Sequence, residues 1–145
     1  MQAYLFDFDG TLVDSAPDLT RALDIALVRA GLPAIGLELG RSMVGHGAGK
    51  FVERALRYST GDQSLTMDSP FAKLLLSTFL EVYQPICAET SSLYPGAIET
   101  LSKLKDNEKY VALVTNKPRR FTEIMLPELR LDNIFDYVIC GDDLS

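Results

Sequence analysis

The sequence contains few of the side chains that build zinc sites, disulfide frameworks and Ser-His-Asp triads. Its two cysteines, Cys87 and Cys140, lie far apart and form neither a metal motif nor a disulfide framework. We therefore expect both thiols to be reduced and structural. The single histidine, His46, leaves no room for a histidine-based zinc site, or for a hydrolytic triad unless it serves alone.

Basic residues and long apolar runs are also scarce. The 14 Lys and Arg residues are outnumbered by 20 Asp and Glu residues, which gives a formal net charge of −6. This balance argues against nucleic acid as a partner, because non-specific binding to phosphates needs a basic surface. No apolar run reaches the ~18 residues of a membrane span, and no signal peptide is visible. We expect a cytoplasmic protein that does not bind membranes.

Strand-like and helical patterns alternate along the 145 residues. Apolar runs typical of buried strands occur at 2–8, 110–115 and 137–140, and amphipathic helical patterns separate them. This alternation is typical of an α/β fold, in which a parallel sheet is connected by helical crossovers.

The helical stretch between the first two strands is too long for one crossover, so we interpret it as an inserted α-helical cap domain. The predicted division places the cap at 15–85 and a discontinuous core at 1–14 and 86–145. Three parallel strands make a thin sheet, and parallel sheets are normally covered on both faces. We therefore expect the chain to lack the C-terminal part of its core.

Local signals also mark the ends and faces of individual elements. Ser15 is in position to cap the helix that follows it, a loop is predicted at 44–49, and Pro127 is expected to end or kink a late helix. In the helix opened by Ser69 and Pro70, the residues expected to face inward are Phe71, Leu74, Leu75, Phe79 and Val82.

The first strand runs directly into two acidic residues, Asp7 and Asp9, followed by Gly10. Because residues i and i+2 lie on one side of a strand, both carboxylates are expected to meet where glycine lets the backbone turn. Two carboxylates this close repel each other unless a cation or a proton lies between them. The pattern indicates a Mg²⁺ site that handles phosphate, whereas an Asp-x-Asp pair alone would indicate a solvated turn.

The chemistry of these two acids suggests a role for each. The carboxylate of Asp7 would attack phosphorus and form an aspartyl-phosphate, which splits hydrolysis into two steps. Bound Mg²⁺ would screen the approach of one anion to another. Asp9 would act as general acid toward the leaving alcohol oxygen and later as general base toward water.

The second predicted strand ends in Thr115, Asn116, Lys117 and Pro118. A hydroxyl and a backbone N–H at the C-terminal end of a parallel strand suit the binding of phosphoryl oxygens, and active sites of open parallel sheets lie at these ends. We therefore predict that Thr115 and Asn116 bind phosphate. Taken alone, the four residues would indicate an ordinary turn.

Two other stretches resemble sites but are interpreted as connections. The stretch at 45–50 reads GHGAGK, yet its glycine spacing is one residue short of a phosphate-binding P-loop, Phe51 follows the lysine and no strand precedes it. We interpret it as a cap loop that approaches the substrate, with a plain helix connector as the alternative. Asp142 and Asp143 are candidate extra metal ligands, but a turn rich in Asp and Gly is the favoured interpretation.

Several motifs together resemble one known family. They are DFDGT, SAPDLTRAL, VGHGAGKFVERAL, YPGAIETLSKL, VTNKP and VICGDDLS. These stretches resemble the haloacid dehalogenase superfamily, and more weakly the phosphoglycolate phosphatases of its helical-cap branch. The resemblance spans nearly the whole chain and implies a Rossmann-like parallel sheet with an inserted helical cap.

The resemblance also implies roles for individual residues. Asp7 would be the nucleophile and a Mg²⁺ ligand, and Asp9 would be the acid/base whose backbone carbonyl also binds the metal. Gly10, Thr115 and Asn116 correspond to positions that hold the phosphate.

Two motifs of the family are missing from these 145 residues. The third motif is a lysine and the fourth is an acidic metal-binding pair, and both would follow Ser145. Neither Lys50 nor Lys117 lies where the third-motif lysine is expected. We therefore expect this chain to be weak or inactive unless another chain completes it.

Three functions remain open from the sequence. The first is a Mg²⁺-dependent phosphomonoester hydrolase acting on 2-phosphoglycolate or a similar small phosphate, because a capped site excludes water around a small substrate. The second is a sugar-phosphate phosphatase or a phosphomutase of the same fold. The third is an inactive fragment that serves as a binding or oligomerising module, and a homo-oligomer is an open alternative.

Overall fold

The structure of the protein is a computed structural model that describes residues 1–143. The chain forms two compact units. The sheet unit comprises Met1–Ser15 and the chain from Ser91 onward, and the helical unit comprises Ala16–Thr90. The helical unit begins one residue later and ends five residues later than the cap expected at 15–85.

The two units contain five strands and six α-helices over residues 1–143, and a 3₁₀ helix follows α4. In chain order the strands and α-helices are β1 (Ala3–Phe6), β2 (Val13–Asp14), α1 (Ala16–Arg29), α2 (Leu37–Met43), α3 (Ala48–Thr60), α4 (Pro70–Tyr83), β3 (Ser92–Leu93), α5 (Ala97–Asp106), β4 (Tyr110–Val114), α6 (Arg119–Glu128) and β5 (Tyr137–Ile139).

The sheet unit is organised around the parallel strands β1, β4 and β5, which lie in that order with β4 in the centre. Leu5 pairs with Ala112, and Ala112 pairs with Tyr137 on the other side. Val111 and Leu113 of β4 are fully buried, as expected for a strand with neighbours on both sides. The predicted α/β fold with a parallel sheet is confirmed.

β1 is shorter than the predicted first strand because the chain turns immediately after Phe6. The backbone carbonyl of Phe8 accepts the N–H groups of residues 11–13 at 3.2, 3.0 and 3.1 Å, and these bonds close a tight turn. Asp7 and Asp9 therefore lie in a turn and not in the strand. We expected strand alternation to align their carboxylates, and this is wrong because both residues follow the end of the strand.

A small antiparallel ribbon joins two parts of the sheet unit that are far apart in sequence. β2 pairs with β3, with Val13 opposite Leu93, and the Tyr94 N–H donates to the Leu12 carbonyl at 2.9 Å. The sequence analysis did not predict this ribbon. Each strand has two residues, which is too short for apolar periodicity to reveal.

The core of the helical unit forms where α1 packs against α2 and α4. The apolar stripe of α1 is buried as its spacing predicts, and its buried members include Leu19, Ala22, Leu23, Ala26 and Leu27. α2 approaches α1 closely at Gly40, where a Cβ would lie 2.2 Å from the Thr20 hydroxyl oxygen. Only a residue without a side chain fits this contact.

Two local predictions for the helical unit are wrong. Phe71 and Leu74 were expected to face inward, but they are 39% and 64% exposed. The buried stripe of α4 lies one position further along and consists of Ala72, Leu75, Phe79 and Tyr83. The loop predicted at 44–49 ends at residue 47, because α3 already begins at Ala48.

Other expectations concern the cysteines, Pro127 and membrane spans. Cys87 and Cys140 are both buried and form no disulfide with each other, and burial raises the pKa of the Cys140 thiol. Pro127 lies inside α6, which ends one residue later. Over residues 1–143, no helix combines the length and the apolar character that a membrane crossing requires.

Candidate active site

The turn that follows β1 carries both predicted catalytic carboxylates. Asp7 is exposed, and its Oδ1 accepts the Phe8 N–H at 2.7 Å. Phe8 is fully buried and anchors the turn. Gly10 has a φ of 79°, which favours glycine, and its N–H donates to the Val13 carbonyl at 2.9 Å. The buried Phe8 and the hydrogen bond of Gly10 therefore fix the backbone of the turn, and the side chain of Asp7 is exposed to solvent.

Asp9 is half-buried and is held by two side chains. Ser15 Oγ donates to Asp9 Oδ1 at 2.5 Å, and Lys117 Nζ donates to both carboxylate oxygens at 3.1 Å. The side chain of Lys117 is 4% exposed and that of Asp9 is 20% exposed, so solvent screens their attraction less than that of a surface ion pair. The sequence analysis assigned Ser15 to helix capping and Lys117 to a turn, and it predicted neither contact.

Lys117 reaches Asp9 from the turn that follows β4, the central strand of the sheet. Thr115 is buried, its N–H donates to the Ile139 carbonyl at 3.0 Å, and its Oγ1 accepts the Lys117 N–H at 3.1 Å. Asn116 is exposed. The structure thus places Thr115 in the turn from which the side chain of Lys117 reaches Asp9.

The turn after β4 also touches the chain that follows β5. The Gly141 N–H donates to the Lys117 carbonyl at 3.1 Å. A Cβ built on Gly141 would lie 2.2 Å from the backbone oxygen of Asn116. Glycine is therefore required at this position, since a backbone oxygen cannot move aside as a flexible side chain can.

Arg119 holds the connection that follows β5. Its backbone N–H donates to Asp142 Oδ1 at 2.8 Å, and its guanidinium binds both carboxylate oxygens of Asp143. The hydrogen bonds from this guanidinium lower the pKa of Asp143 to about 2, and the same contact raises the pKa of Arg119. These bonds favour the interpretation of Asp142 and Asp143 as a turn.

A metal ion at the turn after β1 would depend on few protein ligands. Across residues 1–143, no three side chains from His, Cys, Asp and Glu are grouped so that they could hold a metal ion. The exposed carboxylate of Asp7 and the backbone oxygens of the turn are hard oxygen donors, which suit Mg²⁺ better than Zn²⁺. Water or substrate oxygens would supply the remaining ligands.

The loop before α3 belongs to the helical unit and has an unusual backbone. Residues 45–47 all have positive φ, and Arg54 donates to the Met43 carbonyl at 2.8 Å, which helps to fix the loop. Lys50 lies in α3 and pairs with Glu53 at 3.2 Å. Since the loop follows a helix, its setting differs from that of a P-loop, which follows a strand.

An acidic turn at the carboxyl end of a parallel sheet, with a helical unit inserted after this turn in the sequence, defines an α/β protein with its candidate site at the strand ends. The model of the haloacid dehalogenase-like hydrolase family matches residues 4–145. The chain therefore belongs to this family, and the resemblance seen in its motifs is confirmed.

Known relatives are similar to almost the whole chain. "Phosphoglycolate phosphatase 1" of Pseudomonas aeruginosa is 44% identical over 140 residues, which cover 97% of this chain and 50% of that protein. "Phosphoglycolate phosphatase" of Yersinia pestis is 39% identical over 139 residues, which cover 96% of this chain and 58% of that protein. The chain thus spans about half the length of the curated relatives it matches.

A solved structure shows the same fold. The crystal structure of "a predicted phosphoglycolate phosphatase" from Haemophilus somnus is similar with a TM-score of 0.85 and 32% identity. The match covers 99% of this chain and 64% of that chain. The arrangement of strands and helices described above is therefore shared with that protein.

Proposed function

We propose that the intact protein is a Mg²⁺-dependent phosphomonoester hydrolase that forms an aspartyl-phosphate on Asp7 and acts on 2-phosphoglycolate or a similar small phosphate. The proposal rests on the turn after β1, where the exposed Asp7 precedes a carboxylate, Asp9, that is held by Lys117 and Ser15. Membership of the haloacid dehalogenase-like hydrolases supports the reaction class. The names of the relatives in Pseudomonas aeruginosa and Yersinia pestis support the substrate.

In the first half-reaction, a carboxylate oxygen of Asp7 forms a bond to phosphorus and the ester P–O bond breaks. The Phe8 N–H orients the attacking carboxylate through its bond to Oδ1. Asp9, in its protonated form, gives its proton to the leaving alcohol oxygen. The products of this step are the free alcohol and the aspartyl-phosphate.

In the second half-reaction, a water oxygen attacks the phosphorus of the aspartyl-phosphate while Asp9 accepts a proton from that water. The bond between phosphorus and Asp7 breaks, which releases inorganic phosphate and restores the Asp7 carboxylate. Asp9 is protonated again at the end of this step and is ready for the next ester. The sum of the two steps is hydrolysis of one phosphate ester by one water.

Three residues are assigned to the phosphoryl group. Thr115 Oγ1 accepts the Lys117 N–H, so its own hydroxyl proton is available in a different direction for a phosphoryl oxygen. Asn116 is exposed at the end of the same strand, and Gly10 lies in the turn that carries Asp7. Donors that are fixed before the substrate arrives stabilise the charge that develops during phosphoryl transfer.

We assign the carboxylate of Asp7 and the backbone carbonyl of Asp9 as ligands of Mg²⁺. When bound, this ion would neutralise charge on the phosphate and so reduce its repulsion of the Asp7 carboxylate. We also assign the role of cap to the helical unit, expected at 15–85, because it is a compact body inserted directly after the catalytic turn.

Substitution of Asp7 tests the reaction class. With the intact protein in the presence of Mg²⁺, we expect turnover of 2-phosphoglycolate and p-nitrophenyl phosphate, and a loss of at least about 10³-fold in Asp7→Asn because the nucleophile is removed. Asp106→Asn makes the same chemical change on an exposed residue of α5 and is the matched control. An Asp7→Asn variant with wild-type turnover would contradict the proposal.

A substrate panel and metal removal test the finer assignments. Chelation with EDTA is expected to abolish turnover, and added Mg²⁺ is expected to restore it, whereas unchanged turnover in EDTA would contradict the metal assignment. Preferential turnover of a sugar phosphate over 2-phosphoglycolate would favour a sugar-phosphate phosphatase or a mutase. A protein that binds Mg²⁺ but turns over no phosphomonoester would favour a binding module.

A further inference from the structure

Lys117 is a buried base whose contacts go beyond an ordinary turn residue. Its Nζ lies 3.1 Å from both carboxylate oxygens of Asp9, and its side chain is 4% exposed. A buried ammonium group is costly unless a carboxylate and hydrogen bonds compensate it. Lys117 and Asp9 are 108 residues apart in sequence, so the fold alone brings them together.

The backbone of Lys117 is fixed on both sides, so its side chain starts from a defined position. Its N–H donates to Thr115 Oγ1 at 3.1 Å, and its carbonyl accepts the Gly141 N–H at 3.1 Å. Ser15 Oγ binds Asp9 Oδ1 from the ribbon side of the site. Asp9 is thus held at both of its oxygens by groups that are themselves anchored.

A surface ion pair of the same unit shows that this arrangement is not a general property of its lysines. Lys105 Nζ binds Asp136 Oδ1 at 2.6 Å, but the two side chains are 36% and 27% exposed. Exposed pairs lose side-chain entropy, are screened by water and salt, and contribute little. Lys117 is nearly excluded from solvent and contacts the carboxylate to which proton transfer is assigned.

We propose that Lys117 is a positioning residue that fixes the carboxylate of Asp9 for proton transfer to and from the reacting oxygen. This inference rests on the proposed phosphatase function and adds a residue to it. A general acid or base acts efficiently when its oxygen is held within hydrogen-bond reach of the reacting atom. Without Lys117, Asp9 would keep its bond to Ser15 but would be free to rotate away from the leaving group.

Kinetics with two leaving groups separate positioning from other roles. Nitrophenolate leaves with little protonation, whereas the alcohol of 2-phosphoglycolate needs a proton. We therefore expect Lys117→Met to lower kcat about 100-fold on 2-phosphoglycolate and less than about tenfold on p-nitrophenyl phosphate, with KM changed less than about threefold. Lys105→Met is the matched control and should change neither constant.

Three kinetic results would overturn the inference. They are equal losses on both substrates, a raised KM with kcat unchanged, and a further large loss when Lys117→Met is added to Asp9→Asn. The last comparison matters because a residue that acts through Asp9 has nothing to position once that carboxylate is removed. If Lys117→Met does not fold, Ser15→Ala provides the same test, with a smaller loss of about fivefold that should again be confined to 2-phosphoglycolate.

A double-mutant cycle of urea unfolding tests the contact without any need for turnover. The combination of Lys117→Met with Asp9→Asn should cost less than the two single losses together, by about a factor of five in the unfolding equilibrium constant. Additive losses would overturn the inference even in an active enzyme. A protein without phosphatase activity that retains this coupling would instead overturn the proposed function, and with it the role of the contact in proton transfer.

Discussion

The chain after β1 and the chain after β5 each carry a carboxylate that binds a basic side chain located just after β4, one in the connection to α6 and one at the first residue of α6. Lys117 binds Asp9 after β1, and Arg119 binds Asp143 after β5. The side chain of Lys117 is 4% exposed, whereas the side chain of Arg119 is 38% exposed. The two basic residues are separated by a single proline, yet one is buried at the candidate site and the other joins a turn to a helix.

The comparison shows that two similar ion pairs differ in their position and burial. β4 is the central strand, so the connection that follows it lies between its two neighbours and can contact both strand ends. Asp143 belongs to a turn whose bonds to Arg119 and to the Cys140 N–H are local to the end of β5. Asp9 belongs to the turn that also presents Asp7, the residue that we propose as the nucleophile.

The largest effect on stability is expected where the connection after β4 meets the end of β5. Gly141→Ala would place a Cβ 2.2 Å from the Asn116 backbone oxygen, and relief of this overlap should cost about 3 kcal/mol of the free energy of unfolding. Gly49→Ala, inside α3, is the matched control, because its Cβ would make an ordinary contact of 3.6 Å with Met67. Urea unfolding measures both, and equal stabilities of the two variants would contradict the close packing.

An intermediate effect on the free energy of unfolding is expected when either Asp9 or Lys117 of the buried pair is substituted. Asp9→Ala leaves the Lys117 ammonium buried without this carboxylate and should destabilise the protein by about 2 kcal/mol. Lys117→Met should cost less, about 1 kcal/mol, because Asp9 is more exposed and keeps its bond to Ser15. The same urea titrations measure this asymmetry, and a larger loss in Lys117→Met would show that burial of the lysine is not the main cost.

The smallest effect on the free energy of unfolding is expected for the more exposed pair of Arg119 and Asp143, and this effect should depend on pH. The folded-state pKa of Asp143 lies near 2, below its ordinary value of 3.8, so the unfolded state binds more protons between these values. The stability that this pair contributes is therefore present above about pH 4 and is lost as the pH falls toward about 2. Asp143→Asn should be less stable than the wild type at neutral pH and should approach it at about pH 2.

Unfolding curves of the wild type and Asp143→Asn at neutral and acidic pH test this dependence. Asp106→Asn is a suitable control, since that carboxyl group is exposed at the end of α5. A stability difference that stays constant as the pH falls would show that the carboxylate of Asp143 is not responsible.

Most of what the sequence predicted correctly depends on residues that are close together along the chain. The buried stripe of α1 follows from periodicity, because the repeat of a helix decides which side chains share a face. The apolar runs also located β1, β4 and β5, but the expected burial is found only in β4, since β1 and β5 lie at the edges of the sheet and contain no fully buried residue. Where periodicity was ambiguous, as at Phe71 and Leu74, a shift of one position along α4 moved both side chains out of the core. The roles of Asp7, Gly10, Thr115 and Asn116 are still proposals.

The sequence by itself determined the alternation of strands and helices, the acidic turn after the first strand and the family to which the chain belongs. The tertiary structure alone decided which distant residues meet that turn. Lys117 binds Asp9 because the strand order places β4 beside β1, and no local pattern encodes a contact across 108 residues. The fold also buries the side chain of Lys117 almost completely and leaves that of Arg119 partly exposed, although both side chains carry a positive charge.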